Sequence, residues 1–213
     1  LLIAARSENL YSCSEGDIKV LDQGSYTGLL LLDNGIAIAS NESGINAYQI
    51  GENGWKKSQI DPSLPSSHSF VQFEGEVFFL CSNGIYKLPE ELRTIQTVPF
   101  HGDELLYGLK SLEGELYLLA EHAVYLYDRN EEVFLSYAGH PKAAIIAASD
   151  VISPAGNGEY WIVRNDSKYR SMIMEITDPE KFPEQQNLYP VLQNLGEIIR
   201  LTVRDSVVYI TGR

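Results

Sequence analysis

A short pattern of residues recurs along almost the whole chain, and this internal repeat limits the folds that the sequence can adopt. Its clearest copy, residues 76–88, has a run of large apolar residues, a Ser82-Asn83-Gly84 turn and an alternating Ile-Tyr-Lys-Leu segment, which together predict a β-hairpin. The copies start near residues 1, 35, 76, 115, 159 and 206. A period of roughly 40 residues with about four strands in each repeat is typical of β-propeller blades.

The sequence therefore predicts an all-β protein, a β-propeller built of four-stranded antiparallel blades. The innermost strands of successive blades are predicted at residues 27–32, 70–73, 105–110, 147–153 and 198–203. Asn34-Gly35 predicts a type I′ hairpin turn, because both central residues of that turn need a positive φ. The first repeat lacks its innermost strand and the last lacks its two outer strands. We therefore expect residues 1–213 to form a single propeller segment, an incomplete set of about five blades within a larger ring that continues beyond Arg213.

Charge and cysteine content narrow the classes of partner. The chain has 29 acidic and 16 basic residues, a net charge of −13, and a pI near 4.7. Such a surface repels phosphate backbones and anionic lipids, so we expect no nucleic-acid binding. No apolar run reaches the ~18 residues that a membrane-spanning helix needs, so we expect no membrane contact by this segment. Cys13 and Cys81 fall in different repeats and are expected to be free, packed thiols.

No motif in the sequence indicates a catalytic, cofactor or metal site. A nucleophile elbow, a phosphate loop, a paired-cysteine site and a His-Glu-x-x-His helix are all missing from the sequence. The four histidines map to one face, which we call the top face: it carries the turns between the second and third strands of each blade and the connections between blades. They are His68, His101, His122 and His140. Because the histidines belong to separate turns, we expect no metal site. Because the catalytic and cofactor motifs are missing, we also expect no cofactor and no catalytic residue in this segment.

The repeat unit resembles a known family. Its pattern is Gly-Glu, two aromatic or aliphatic residues, two aliphatic residues and a small one, then a polar turn and Gly-(Ile/Leu)-Tyr. This resembles the repeat of two-component-regulator propellers, and residues 82–86 and 159–163 carry it most closely. The resemblance implies a ligand-sensing domain of a bacterial hybrid two-component histidine kinase, often one that governs glycan use. It also implies a periplasmic or extracellular location, with any kinase activity elsewhere in the full-length protein.

We expect the top face to be the recognition surface, because loops from every blade converge there. The candidate ligand-binding residues lie in or beside the turns between second and third strands: Arg6, Asn41, Glu42, Asn83, His122, Arg164 and Asp166. The two arginines offer planar, multi-donor contacts to a carboxylate or a carbohydrate. Trp161 would add an apolar platform if it is exposed, although its place in the repeat, shared with Phe78 and Tyr117, favours the core.

The expected partner is a small-molecule or oligosaccharide ligand, and a homodimer formed through the full-length protein is a further expectation. Two alternatives remain at this point. A propeller scaffold that binds another protein would show a large exposed apolar patch. A propeller-fold glycan-active enzyme would instead show carboxyl groups with perturbed pKa values in a pocket at the axis.

Overall fold

The structure is a computed structural model, and it describes residues 2–6, 9–14, 17–51, 54–89, 94–156, 159–166, 170–178, 181, 188–189, 198–204 and 207–212. Within these residues the chain forms successive antiparallel sheets, each made of strands that are consecutive in sequence. Blades 2 to 5 are four-stranded, whereas blade 1 shows three strands and blade 6 shows two. The predicted all-β fold of four-stranded antiparallel blades is confirmed.

The strands are numbered in chain order. Blade 1 has β1 (Leu2–Arg6), β2 (Asn9–Ser14) and β3 (Asp17–Gln23). Blade 2 has β4 (Tyr26–Leu31), β5 (Ala37–Asn41), β6 (Gly44–Gly51) and β7 (Gly54–Gln59). Blade 3 has β8 (Ser67–Phe73), β9 (Glu76–Cys81), β10 (Gly84–Pro89) and β11 (Gln96–Val98). Blade 4 has β12 (Leu106–Leu112), β13 (Glu115–Ala120), β14 (Val124–Asp128) and β15 (Val133–Ser136). Blade 5 has β16 (Val151–Gly156), β17 (Glu159–Asp166), β18 (Arg170–Ile176) and β19 (Leu188–Tyr189), and blade 6 has β20 (Ile198–Arg204) and β21 (Val207–Gly212).

The first strands of neighbouring blades lie side by side, as the inner strands of a propeller do. β4 lies beside β8, β8 beside β12, and β16 beside β20. The second strands are enclosed between neighbouring blades, and every residue of β5 is buried. A strand that is covered on both faces has no solvent-exposed side, so apolar and polar residues do not alternate along it. This explains the continuous apolar runs in the repeat.

One predicted inner strand is wrong in its first half. Residues 147–153 were expected to be extended, but α1 (Pro141–Ala148) occupies the connection between blades 4 and 5, and β16 begins only at Val151. His140 caps the helix, with its Nδ1 accepting a hydrogen bond from the Lys142 amide at 3.2 Å, and proline follows at the first helical position. At the other end the Lys110 ammonium donates to the carbonyl groups of Ile146 and Ser149. Burial lowers the pKa of Lys110 to about 8, although the Asp150 charge opposes the shift.

The type I′ turn was assigned to the wrong hairpin. At Asn34-Gly35 only the glycine has a positive φ, of 83°, and the Asn34 side chain accepts a hydrogen bond from the Ile36 amide at 3.0 Å. Both central residues have a positive φ at Glu74-Gly75, with values of 50° and 77°, and at Glu113-Gly114, with values of 53° and 77°. Two-residue hairpins need this geometry to match the twist of their strands, whereas the longer loop at Asn34 needs it only at its last position.

A partly buried polar cluster joins blade 1 to blade 2. The Asp22 carboxylate accepts hydrogen bonds from the Tyr48 hydroxyl at 2.5 Å and from the Lys57 ammonium at 2.6 Å. Partial burial by itself would raise the pKa of Asp22, but the hydrogen bonds from Lys57, Tyr48 and Tyr26 outweigh it and lower that pKa to about 2.

Asp22→Asn is therefore expected to reduce the free energy of unfolding by about 1–2 kcal/mol at pH 7, since hydrogen bonds to charged groups are the strong ones. Because the folded-state pKa lies below the ordinary value of 3.8, this stabilisation is present above pH 3.8 and is lost as the pH falls towards 2. Urea denaturation at a series of pH values measures both effects. Asp33→Asn, in an exposed turn, is the control, and equal acid sensitivity of the Asp22→Asn variant and the wild type would contradict the prediction.

Candidate functional site

The structure places the predicted site residues on five blades, at or beside the turns between second and third strands. Arg6 ends β1 opposite Asn9, and Asp166 ends β17 opposite Arg170, but the side chains of Arg6 and Asp166 lie outside the described residues. Arg164 is exposed in β17, and Asn83 is exposed in the turn between β9 and β10. The described members of the set are not joined to one another by a hydrogen bond or an ion pair. Their role in ligand binding stays a prediction.

Asn41 and Glu42 hold the turn between β5 and β6. Asn41 is almost fully buried, and its Oδ1 accepts a hydrogen bond from the Ser43 amide at 2.9 Å. Glu42 is exposed, and its carboxylate accepts a hydrogen bond from the Ser25 amide, just before β4, at 2.9 Å. Both side chains therefore have structural partners, which a ligand would have to share or displace.

The turn at His122 has a related arrangement. His122 is exposed, and its backbone amide donates to the Glu104 carboxylate at 3.3 Å. Glu104 lies in the connection that leads into β12. Here too, a carboxylate therefore joins the turn between the second and third strands of a blade to the connection that precedes its first strand. These contacts confirm that the two kinds of loop share the top face.

The other predicted features are dispersed. Trp161 is half-buried, so its ring is neither fully in the core nor fully exposed, whereas Phe78 and Tyr117 at the equivalent positions are buried.

The predicted thiols and metal ligands are a separate matter. Cys81 is a buried thiol with no disulfide partner, and burial raises its pKa to about 11. The side chain of Cys13 lies outside the described residues. Among the described residues, no group of three or more His, Cys, Asp or Glu side chains is placed to hold a metal ion.

A groove of about 500 Å³ lies beside residues 128–130, where the third strand of blade 4 turns into the fourth, on the face opposite the top. Arg129, the cation among its described lining residues, already pairs with Glu74 at 2.9 Å and with Glu115 at 3.4 Å, and it lies over the Phe73 ring. This guanidinium therefore joins blades 3 and 4, and it is already neutralised by protein carboxylates.

The sequence did not indicate a β-bulge that recurs at the top end of the inner strands. In β4 the register passes from Tyr26 to Gly28, so Thr27 is the extra residue. In β8 the extra residue is His68, between Ser67 and Ser69, and in β12 it is Tyr107, between Leu106 and Gly108. We call Thr27, His68 and Tyr107 the bulge row. All three are exposed, and Tyr107 retains 55% of its accessible surface.

Each bulge is linked to the neighbouring inner strand through side-chain hydrogen bonds. The Thr27 hydroxyl donates to the Ser67 carbonyl at 2.7 Å, across 40 residues of sequence. His68 Nε2 lies 3.2 Å from the Tyr107 carbonyl, across 39 residues, and must carry the proton because a carbonyl only accepts. The Leu109 amide donates to Ser69 Oγ at 2.9 Å, again across 40 residues. The bulge row is thus one continuous feature that spans blades 2, 3 and 4.

The fold and these loop positions define a β-propeller with a polar top face. No protein-family model matches the sequence, and neither does any curated protein. Solved structures do match. One is the extracellular domain of BT4673, assigned as a one-component system of B. thetaiotaomicron, at 10% identity and a TM-score of 0.58, over 99% of this chain and 37% of that one. Another is the extracellular domain of BT3049, assigned as a hybrid two-component system of the same organism, at 15% identity and a TM-score of 0.60, over 99% and 30%.

A third similar structure is a chain of a nidogen/laminin complex, with 12% identity, a TM-score of 0.60 and coverage of 99% of this chain and 84% of that one. Identities this low show a shared fold. The chain spans only about a third of the length of the two bacterial domains, 37% and 30%. The expectation that this chain folds like an extracellular sensor propeller is therefore confirmed at the level of the fold.

Proposed function

We propose that this chain is the ligand-sensing, extracytoplasmic propeller module of a bacterial two-component signalling protein, located in the periplasm or outside the cell. The observation that carries the proposal is the likeness of fold, over 99% of the chain, to extracellular domains of two bacterial signalling proteins. None of the described helices is long and apolar enough to cross a membrane.

The top face supports a binding role. Turns from successive blades bring exposed polar side chains such as Glu42, Asn83 and His122 to one surface, and rigid strands hold these turns in place. A small molecule or an oligosaccharide is the class of ligand that such a surface would bind, because polar groups from separate blades can contact it without any change in the strands.

The shifted carboxyl groups do not have the raised pKa values that a glycosidase would need. Among the described residues, hydrogen bonds and ion pairs lower the pKa values of Asp22, Asp61 and Glu113. In Asp22 and Glu113 they outweigh a burial effect of opposite sign. A glycosidase-type general acid requires the opposite shift, a carboxyl group that stays protonated near neutral pH. The enzyme alternative thus gains no support from these groups, and we propose that the segment has no catalytic activity of its own.

The test uses the intact protein in its host cell, with a transcriptional reporter of the response and a panel of defined mono- and oligosaccharides as inducers. Arg164→Ala combined with His122→Ala is expected to reduce the response to the active inducer at least fivefold, while Glu131→Ala in the opposite-face turn retains it. An unchanged response in the double variant, together with a loss in Glu131→Ala, would reverse the assignment of the recognition face. A protein that responds to no member of the panel, and that is instead recovered with a protein partner, would favour the scaffold alternative.

A further inference from the structure

Two side chains of the bulge row, Thr27 and His68, each have a donor that is already used. The Thr27 hydroxyl donates its proton to the Ser67 carbonyl at 2.7 Å, and the Ser40 carbonyl lies 3.5 Å from the same oxygen, so that Thr27 Oγ1 can offer a ligand only a lone pair. His68 Nε2 carries the hydrogen of the contact with the Tyr107 carbonyl, so that Nδ1 is the ring nitrogen left to contact a ligand. These hydrogen bonds to backbone carbonyls hold the side chains of Thr27 and His68 at the top of blades 2 and 3.

Tyr107 adds an aromatic surface beside these acceptors. Tyr107 is 55% exposed, and Leu105, two residues earlier in the segment that leads into blade 4, is 67% exposed. Large apolar side chains left this accessible on a packed protein frequently mark a binding surface. A tyrosine ring offers an apolar face together with a hydroxyl that both donates and accepts.

The charges around the row oppose an anionic ligand. Thr27 and Tyr107 carry no positive charge, and the carboxylates of Glu42 and Glu104 lie in the top-face loops, where they accept hydrogen bonds from the Ser25 and His122 amides. The chain as a whole has a net charge of −13. A carboxylate or phosphate would thus meet accepting lone pairs and like charge, both of which are unfavourable.

We propose that the bulge row is a binding site for an uncharged ring compound that carries hydroxyl groups on its edge. Its hydroxyl groups donate to Thr27 Oγ1 and His68 Nδ1, while one face of the ring stacks on Tyr107. The bulges create the site, because the extra residue in each strand changes the direction of its side chain while the strand pairing beyond the bulge stays regular. This inference rests on the proposed sensing function, for which it names a site and a ligand chemistry. A neutral saccharide and an aromatic diol share that chemistry.

The experiment is saturation-transfer NMR on the intact protein with three probes at millimolar concentration: methyl glucoside, catechol and glucuronate. We expect transfer from the protein to methyl glucoside or to catechol, whichever is the matching source, and none to glucuronate. Tyr107→Ala is expected to weaken the binding at least tenfold by removing the stacking surface. His68→Ala is expected to weaken it about 3- to 10-fold, the effect of one hydrogen bond.

Thermal unfolding followed by circular dichroism checks that the variants are folded, and we expect Tyr107→Ala to keep the wild-type melting temperature because its ring is exposed. Leu135→Ala, which removes another exposed apolar side chain of blade 4, is the matched control and should bind like the wild type. The proposal is overturned if no probe binds, if glucuronate alone binds, or if Tyr107→Ala binds as well as the wild type. A cellular response that persists in the Tyr107→Ala protein would overturn the bulge row alone and leave the proposed sensing function standing.

Discussion

Phe78→Ala is expected to lower the free energy of unfolding by about 3–5 kcal/mol, the range for removing a buried aromatic ring from a packed core. The ring is fully buried in β9 and lies 5.0 Å from the Tyr127 ring and 6.1 Å from the Phe73 ring, centroid to centroid, in edge-on contacts. Tyr127 belongs to blade 4, so that the ring is part of the interface between two blades. Urea denaturation followed by circular dichroism measures the change.

Leu135→Ala is the control, because that side chain is 41% exposed on blade 4 and its truncation should change stability by less than about 0.5 kcal/mol. Blades of a propeller have no core of their own beyond what neighbouring blades cover. A loss below about 1 kcal/mol in Phe78→Ala would therefore mean that blades 3 and 4 do not depend on each other in the way their packing indicates.

The blades were predictable from the sequence because their second strands are buried on both faces. Residues such as Phe78, Phe79 and Leu80 form an apolar run that a strand with one wet face does not have. Each run is followed by a polar turn and an alternating strand, so that the local pattern and the tertiary environment agree. Four of the five predicted inner strands consequently lie where the sequence placed them.

The helix between blades 4 and 5 was missed because the repeat pattern placed an inner strand at residues 147–153, directly after Ile145 and Ile146. Both are buried, as a strand would also require, but the flanking alanines and the proline at the helix start favour a helix. The tertiary contribution was not visible in the sequence: Lys110, 36 residues before Ile146, donates to the last carbonyl groups of the helix.

The bulge row was missed because a register shift leaves no change in hydrophobic periodicity that a single strand of seven residues can reveal. Small residues recur directly after each bulge, at Gly28, Ser69 and Gly108, where neighbouring inner strands come close together. The spacing of these three small residues is close to the length of the repeat, and it was the feature of the sequence that could have indicated the bulges. The predicted site residues lie instead in or beside turns, which are easy to find from sequence and which the structure distributes over five blades.

Gly28 and Gly108 occupy the same place in the repeat, yet substitution by alanine is expected to have very different effects. A Cβ at Gly28 would lie 2.7 and 2.9 Å from carbons of the Phe70 ring and 3.1 Å from the Ser67 carbonyl oxygen. Forcing these groups apart costs about 1–3 kcal/mol, as overpacking does elsewhere. A Cβ at Gly108 would meet only Ser69 Oγ, at 3.5 Å, which is an ordinary contact.

Gly108→Ala should therefore be neutral or stabilise the fold by up to about 1 kcal/mol, because alanine restricts the unfolded chain more than glycine does. Neither glycine has a positive φ, so backbone strain contributes to neither variant and the comparison isolates the contact between inner strands. Urea denaturation of the two variants side by side measures the difference. Equal stabilities would show that β4 and β8 can separate freely, and the Thr27–Ser67 hydrogen bond that orients the first acceptor of the bulge row would then not be held in place by packing.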